Sequence, residues 1–394
     1  MGEDIYAVGA PDFSERLYDI YEQMRDEQPL YVHAEREFYA VSRYEDIRTV
    51  VNDDDNYSAE GVSTAVSALP IVQQIDAPLH DDLRALVNTA FTPRRVAELE
   101  PRMREMAREL MAKFIERGEC DFMSEFSHHF PSMVIGEMVG LPPDRREPVL
   151  EWTESMIGIS RNGDVTVDVA ARAIAEEFKT LIDDRRREPR DDLMSALITA
   201  EIDGGRQLTE LEILGFCFQL VLAGNDTTTN LIANGTVLLA EHSDQRQEIL
   251  DRPELLDNAI EEMLRIESPT QVLPRRVVKD VDFYGQTVPA GSEVRMIWAS
   301  GNRDPRFFEE PERFDIHRKN ARRHLALGQG RHFCLGASLA RLEAKVAFQE
   351  LLRHMPNYEL SGEAGWLPSV WARAHTVVPL TFEPLPQDRL ADVA

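Results

Sequence analysis

The sequence is poor in cysteine, in positive charge and in long apolar runs. Only three of its 394 residues are cysteine, Cys120, Cys217 and Cys334, widely spaced and without a C-x-x-C pair. An odd, scattered set supports neither a disulfide framework nor a zinc site. Lysine and arginine number 43 against 70 acidic residues, giving a formal net charge of −27. That excess sets nucleic acid and anionic membrane surfaces aside as expected partners. The longest apolar run, ILGFCFQLVLAG (213–224), is too short to span a bilayer. The opening MGEDIYAVGAPDF has no basic or apolar signal region, and Tyr6 stands where a myristoylation site needs Ser or Thr. These absences lead to the expectation of a cytoplasmic chain without a membrane anchor. Repeats and low-complexity linkers are missing too.

What is present is mostly helical periodicity. PRRVAELEPRMREMARELMAKFIERG (93–118), AARAIAEEFKTLIDDRRRE (170–188) and GASLARLEAKVAFQELLRHM (336–355) repeat their apolar residues at helical spacing. Strand signals are short: EREFYAVSRY (35–44), DVDFYGQTVPAGSEVRMIW (280–298) and HTVVPLTFEP (375–384). The expected fold is mainly α with small β-sheets, in a single domain over residues 1–394. One helix stands out. Thr209 and Glu212 form a T-x-x-E capping box, and apolar residues follow to about Glu241. In its middle, AGNDTTTN (223–230) places Asp226 and three threonines inside an apolar helix. Burying such groups costs free energy unless partners or water meet them. A solvent-facing patch and a functional groove are both consistent with that interruption.

Near the C-terminal end, LGQGRHFCLG (327–336) gathers glycines around Cys334. A metal-binding cysteine acts as its thiolate, which requires a stabilised negative charge. Cys334 directly precedes a predicted helix, whose N-terminal end favours an anion. Gly328, Gly330 and Gly336 permit tight turns and the close approach of a flat group. With no second cysteine nearby, a lone thiolate suits a haem iron. A buried structural cysteine beside a glycine turn is the alternative that these residues leave open.

LGQGRHFCLGASLAR resembles the haem-binding loop of the cytochromes P-450 of bacterial soluble type, whose pattern is F-G-x-G-x-H-x-C-x-G-x-x-L-A-R. Leu327 replaces the usual phenylalanine and Ser338 a frequent proline. Other family signatures follow in order over nearly the whole chain. APLHDDLRALVNTAFTP (77–93) is similar to the C-helix segment, which implies that His80 and Arg84 meet haem propionates. The two also lie four apart on one helical face, a geometry suited to an anion. AGNDTTT matches the oxygen-binding groove, which implies catalytic roles for Asp226 and Thr227 as an acid–alcohol pair, with Thr228 and Thr229 pointing elsewhere. EEMLR (261–265) carries E-x-x-R at Glu262 and Arg265, and PERF (311–314) supplies Arg313. The resemblance makes these three a structural ion-pair network. Arg275 and His332 match further propionate contacts, and the neighbouring Arg276 and Arg331 are matched to no haem contact.

The resemblance implies the cytochrome P-450 fold, with a long central helix over haem b (iron protoporphyrin IX) and Cys334 as the iron ligand beside Gly336. It implies a monomeric monooxygenase that inserts one atom of O2 into a lipophilic molecule, using electrons from a ferredoxin and ferredoxin reductase. Arg94, Arg95, Arg331, Arg341 and Lys345 are candidate cations for docking that partner. Substrate walls are expected in 58–72 and 152–168, and at Leu220, Ala223, Val272, Leu273, Val370 and Trp371. Ala374 and His375 replace a usual Gly-Leu, and His375 is read as a strand-end residue. Aryl coupling or another non-monooxygenase oxidation, and a non-catalytic haem sensor, are the competing functions.

Overall fold

The computed structural model describes residue 6 and residues 13–33, 38–62, 69–157, 166–202 and 204–386. Its spine is the helix Glu210–Glu241 of 32 residues, roughly 48 Å long at about 1.5 Å per residue. The capping box forms as expected: the Glu212 N–H donates to Thr209 Oγ1 at 3.3 Å and the Thr209 N–H to Glu212 Oε2 at 2.8 Å. From Ile213 to Leu239 most positions are buried, because the helix is apolar on nearly every face. His129–Val139, Val167–Arg187, Leu256–Ile266 and Ala337–His354 pack around it.

The predicted 93–118 helix is broken. Pro93–Glu98 is capped by the Thr92 side chain, and a second helix, Glu100–Met111, starts with Pro101 in its first turn. Proline without an N–H fits a helix start and not an interior, so Pro101 fixes the break. The 170–188 and 336–355 segments become Val167–Arg187 and Ala337–His354.

A five-stranded sheet stands beside this helical body in the order Leu30–His33, Phe38–Val41, Glu293–Ile297, Val272–Val277, Tyr57–Ser58. Phe38–Val41 and Glu293–Ile297 run parallel, and the remaining pairs are antiparallel. The predicted 280–298 strand region resolves into the hairpin Val281–Phe283/Gln286–Val288 and the sheet strand Glu293–Ile297. Val272–Val277 escaped sequence analysis because Pro274, Arg275 and Arg276 obscure its alternation. The largest apolar cluster surrounds the central helix, and two smaller ones flank the sheet. Among the described residues no helix is long and apolar enough to cross a membrane.

Candidate active site

The central helix and the cysteine loop face each other across a cavity of about 1400 Å³, mouth included. Its floor is the loop from Ala326 to Gly336. Gly328 and Gly330 both adopt φ +69°, a region that favours glycine, and they fold the chain back on itself. The Cys334 N–H then donates to the Leu327 carbonyl at 2.8 Å. Gly336 precedes the helix Ala337–His354, and its N–H points at the Cys334 sulfur. Burial pushes the Cys334 thiol pKa up, while that N–H and the guanidinium groups of Arg84 and Arg341 pull it down. Cys217 is pushed up to about 12 by burial alone. Of the three cysteines, only Cys334 lines the cavity.

Cationic and donor groups ring one end. His80 and Arg84 come from the helix Leu79–Ala90, Arg275 from the sheet and His332 from the cysteine loop. Arg84 donates to the Phe333 carbonyl at 2.8 Å, and Arg275 to the Pro274 carbonyl at 3.0 Å. Neither meets a carboxylate as an ion pair among the described residues, although Arg275 is only 7% exposed. His80 Nδ1 lies 3.1 Å from Asp81 Oδ1, and its buried Nε2 has no partner. Burial, together with Arg275 and His80, lowers the His332 pKa to about 4. A buried guanidinium without a counter-charge is costly. This ring therefore lacks an anion, and the two propionates of a haem would supply it. The lone thiol on the cavity floor suits the iron of the same group, so the residues present fit a haem.

Behind the floor, Glu262 and Arg265 form a pair with both side chains fully buried. Arg265 Nε and Nη2 donate to the Glu262 carboxylate at 2.7 and 2.8 Å. Its other donors reach the Asn302 and Pro311 carbonyls at 2.8 and 2.7 Å. The third member of this network is Arg318, whose Nε donates to Glu262 Oε1 at 2.9 Å. Arg313, the expected member, turns its guanidinium outward to Glu310 and contributes only its backbone carbonyl. The loop runs outward at 313 and returns inward at 318, which PERF alone could not reveal. A second cluster joins Glu261, His324 and Arg341: Arg341 Nε and His324 Nε2 meet the Glu261 carboxylate at 2.6 and 3.1 Å. His324 Nδ1 accepts the Ala326 N–H at 3.1 Å, at the start of the cysteine loop.

The opposite wall is the central helix. Leu220, Ala223, Gly224, Thr227 and Thr228 line the cavity, with Phe91 and Phe216 beside them. The Thr227 hydroxyl donates to the Ala223 carbonyl at 2.7 Å, leaving its oxygen to accept from the cavity. Thr228 also reaches the cavity, contrary to expectation, whereas Thr229 is buried and donates to the Ser127 carbonyl at 3.0 Å. Asp226 is not on the wall itself; one residue before Thr227, it is turned about 100° around the helix.

Alternation along Val272–Val277 decides which sheet residues take part. Leu273 and Arg275 face the cavity, while Val272 turns away into the cluster that holds Tyr21 and Phe38. Val370 lies in that cluster too, and Trp371 is 46% exposed under the Arg295 guanidinium. The expected wall positions Val272, Val370 and Trp371 are therefore not lining residues. Residues 63–68 and 158–165, within two further expected walls, lie outside the described residues. His375 is buried against Trp366, its Nδ1 3.3 Å from the Gly365 carbonyl, and is not on the cavity. The expected docking cations are largely neutralised, with Arg94 paired to Glu98, Arg331 to Asp54, Arg341 to Glu261 and Lys345 to Asp257.

The family model described as Cytochrome P450 matches residues 158–361. A putative cytochrome P450 123 of Mycobacterium tuberculosis is 37% identical over 366 residues, covering 89% of this chain and 90% of the relative. Among solved structures, cytochrome P450 CYP109Q5 from Chondromyces apiculatus superposes with a TM-score of 0.89 at 37% identity, over 95% of this chain and 97% of that one. CYP109E1 from Bacillus megaterium, in complex with testosterone, gives a TM-score of 0.85 at 33% identity, over 93% of this chain and 99% of that one.

Proposed function

This chain belongs to the cytochrome P450 family, whose members are haem-thiolate monooxygenases, and from that premise we propose how its own residues divide the work. Cys334 would supply the thiolate ligand to the iron. His80, Arg84, Arg275 and His332 would hold the propionates of haem b, and Gly336, without a side chain, would let the group approach the sulfur. Bound haem supplies the electron-transfer and dioxygen chemistry, with the thiolate favouring O–O cleavage.

The chain's residues bind, orient and move protons. Arg84, Arg341 and the Gly336 N–H favour negative charge on the Cys334 sulfur, against the larger opposing effect of burial. Thr227 Oγ1, its proton directed to Ala223, accepts a hydrogen bond from a water in the cavity and fixes that water's position. Asp226 passes protons to that water from the side of the helix, as a positioned acid–base group does. Leu220, Phe216, Phe91 and Leu273 hold a lipophilic substrate and exclude bulk water. That a structural relative is solved with testosterone supports a rigid lipophile of this size. A ferredoxin and its reductase are the proposed electron donors, and the enzyme acts as a monomer.

The observation that carries this assignment is the Cys334 sulfur on a cavity floor ringed by unneutralised cations and faced by Thr227. The reduced carbon monoxide complex should absorb where thiolate-ligated haem does. Cys334→His should abolish that band, and substitution of Cys120 or Cys217 should not. Retention of the band in Cys334→His would refute the ligand.

A further inference from the structure

The cavity wall carries two carboxamides that the described residues leave open. Gln219 lines the cavity from the central helix, and its Oε1 is buried without a hydrogen-bond partner. Gln73 lines it from the short helical turn Val72–Gln74, and its side chain has no bond among the described residues. One close contact brings the two segments together. A Cβ at Gly215 would stand 2.5 Å from the Pro70 carbonyl oxygen, so the 70–74 segment crosses the central helix one turn before Gln219. Among the described residues that line the cavity, no lysine or arginine stands with them. Among the described residues, the arginines on the cavity wall are Arg84 and Arg275, in the ring beside the cysteine loop.

A buried amide without a partner is destabilising, by about 1–3 kcal/mol, so a ligand that completes its bonds gains by doing so. Rotation of a carboxamide presents either its N–H or its oxygen, and neutral hydroxyl and keto groups suit it. A carboxylate, with no counter-charge at this end among the described residues, would be desolvated without a partner. We propose that Gln219 and Gln73 form a polar anchor for a neutral hydroxyl or keto group on an otherwise apolar substrate. The anchor lies eight residues from Thr227 on the same helix, about 12 Å along its axis. The substrate class is therefore an elongated lipophile with its oxygen function at the end remote from the oxidised carbon. This assignment rests on the monooxygenase reading and adds the substrate's chemistry to it.

The test uses the haem-loaded enzyme and four matched probes: dodecan-1-ol, dodecan-2-one, dodecane and dodecanoate. Affinity is read from the spectral change as water leaves the haem. The alcohol and ketone should bind more tightly than dodecanoate, and Gln219→Leu should weaken both about tenfold, the size of one lost hydrogen bond. Dodecane should bind the variant as well as the parent or better. Because the amide has no partner in the protein, Gln219→Leu should unfold at the same temperature as the parent or higher. Gln73→Leu should reproduce the selective loss. An unchanged ratio of alcohol to alkane affinity in both variants overturns the anchor. So does a preference for dodecanoate, or failure of all four probes to bind. The carbon monoxide spectrum of the same preparations tests the haem-thiolate reading separately.

Discussion

The two sides of the cavity follow opposite rules. Behind the cysteine loop, buried charges are saturated: Glu262 takes Arg265, Arg318 and the Asp315 N–H, and Glu261 takes His324 and Arg341. On the central helix, polar groups are left open: Gln219 keeps a free oxygen on the cavity wall, and Asn225, on another face of the helix, has neither side-chain atom bonded. A saturated network has one low-energy arrangement and holds a ligand loop in register. An unsaturated wall is poorly determined by the protein, and what it lacks must come from water or substrate.

The comparison breaks first, and most severely, at Glu262. Removing that carboxylate leaves Arg265 and Arg318 buried without a counter-charge, so Glu262→Ala should cost about 3–5 kcal/mol in urea unfolding. Little haem-loaded protein should be recovered; a stable, fully loaded variant would mean that the network is dispensable. Arg318→Ala removes one of two arginines and should cost about 3 kcal/mol, near the lower end of that range.

On the open side, the expected change is in chemistry and not in folding. Thr227→Ala should retain haem and stability yet shift oxygen use from product to hydrogen peroxide by ~10²-fold, the scale of one lost positioned hydrogen bond at the reacting centre. The ratio of product to NADPH consumed measures this directly, and unchanged coupling would deny Thr227 its role.

Glu343 is an exception on the saturated side: it is 1% exposed, both carboxylate oxygens lack partners, and burial raises its pKa well above the ordinary 4.5. In the folded protein it therefore keeps its proton at a pH where the unfolded chain has lost it. Its contribution is harmless below the unfolded pKa and becomes destabilising as pH rises, by at most about 1.4 kcal/mol per pH unit. Glu343→Gln removes that dependence, so its advantage over the parent should widen between pH 5.5 and 7.5 in urea unfolding. Parallel stability curves would show that Glu343 ionises in the fold. The smallest effect belongs to Arg313→Ala, which loses only an exposed pair with Glu310 and should cost under about 1 kcal/mol. A cost equal to that of Arg318→Ala would erase the distinction between the two arginines.

What the sequence determined by itself was local. The Cys334 loop, the Thr209–Glu212 capping box and the helical periods rest on residues a few positions apart, whose geometry the backbone dictates. The i,i+3 pair of Glu262 and Arg265 was legible for the same reason, and so were His80 and Arg84 four apart on one helix. Tertiary structure decided everything that depends on how distant segments meet. It chose Arg318 over Arg313, because the path of the 302–318 loop sets which guanidinium turns inward. Strand alternation faced Leu273 into the cavity and Val272 away from it, a register fixed only by pairing with Glu293–Ile297. Gln219 carried a faint signal, a polar residue eight before Thr227 in an apolar helix, but its meaning required Gln73. Only the contact of Pro70 with Gly215, residues 145 positions apart in the chain, brings those two carboxamides to one end of the cavity.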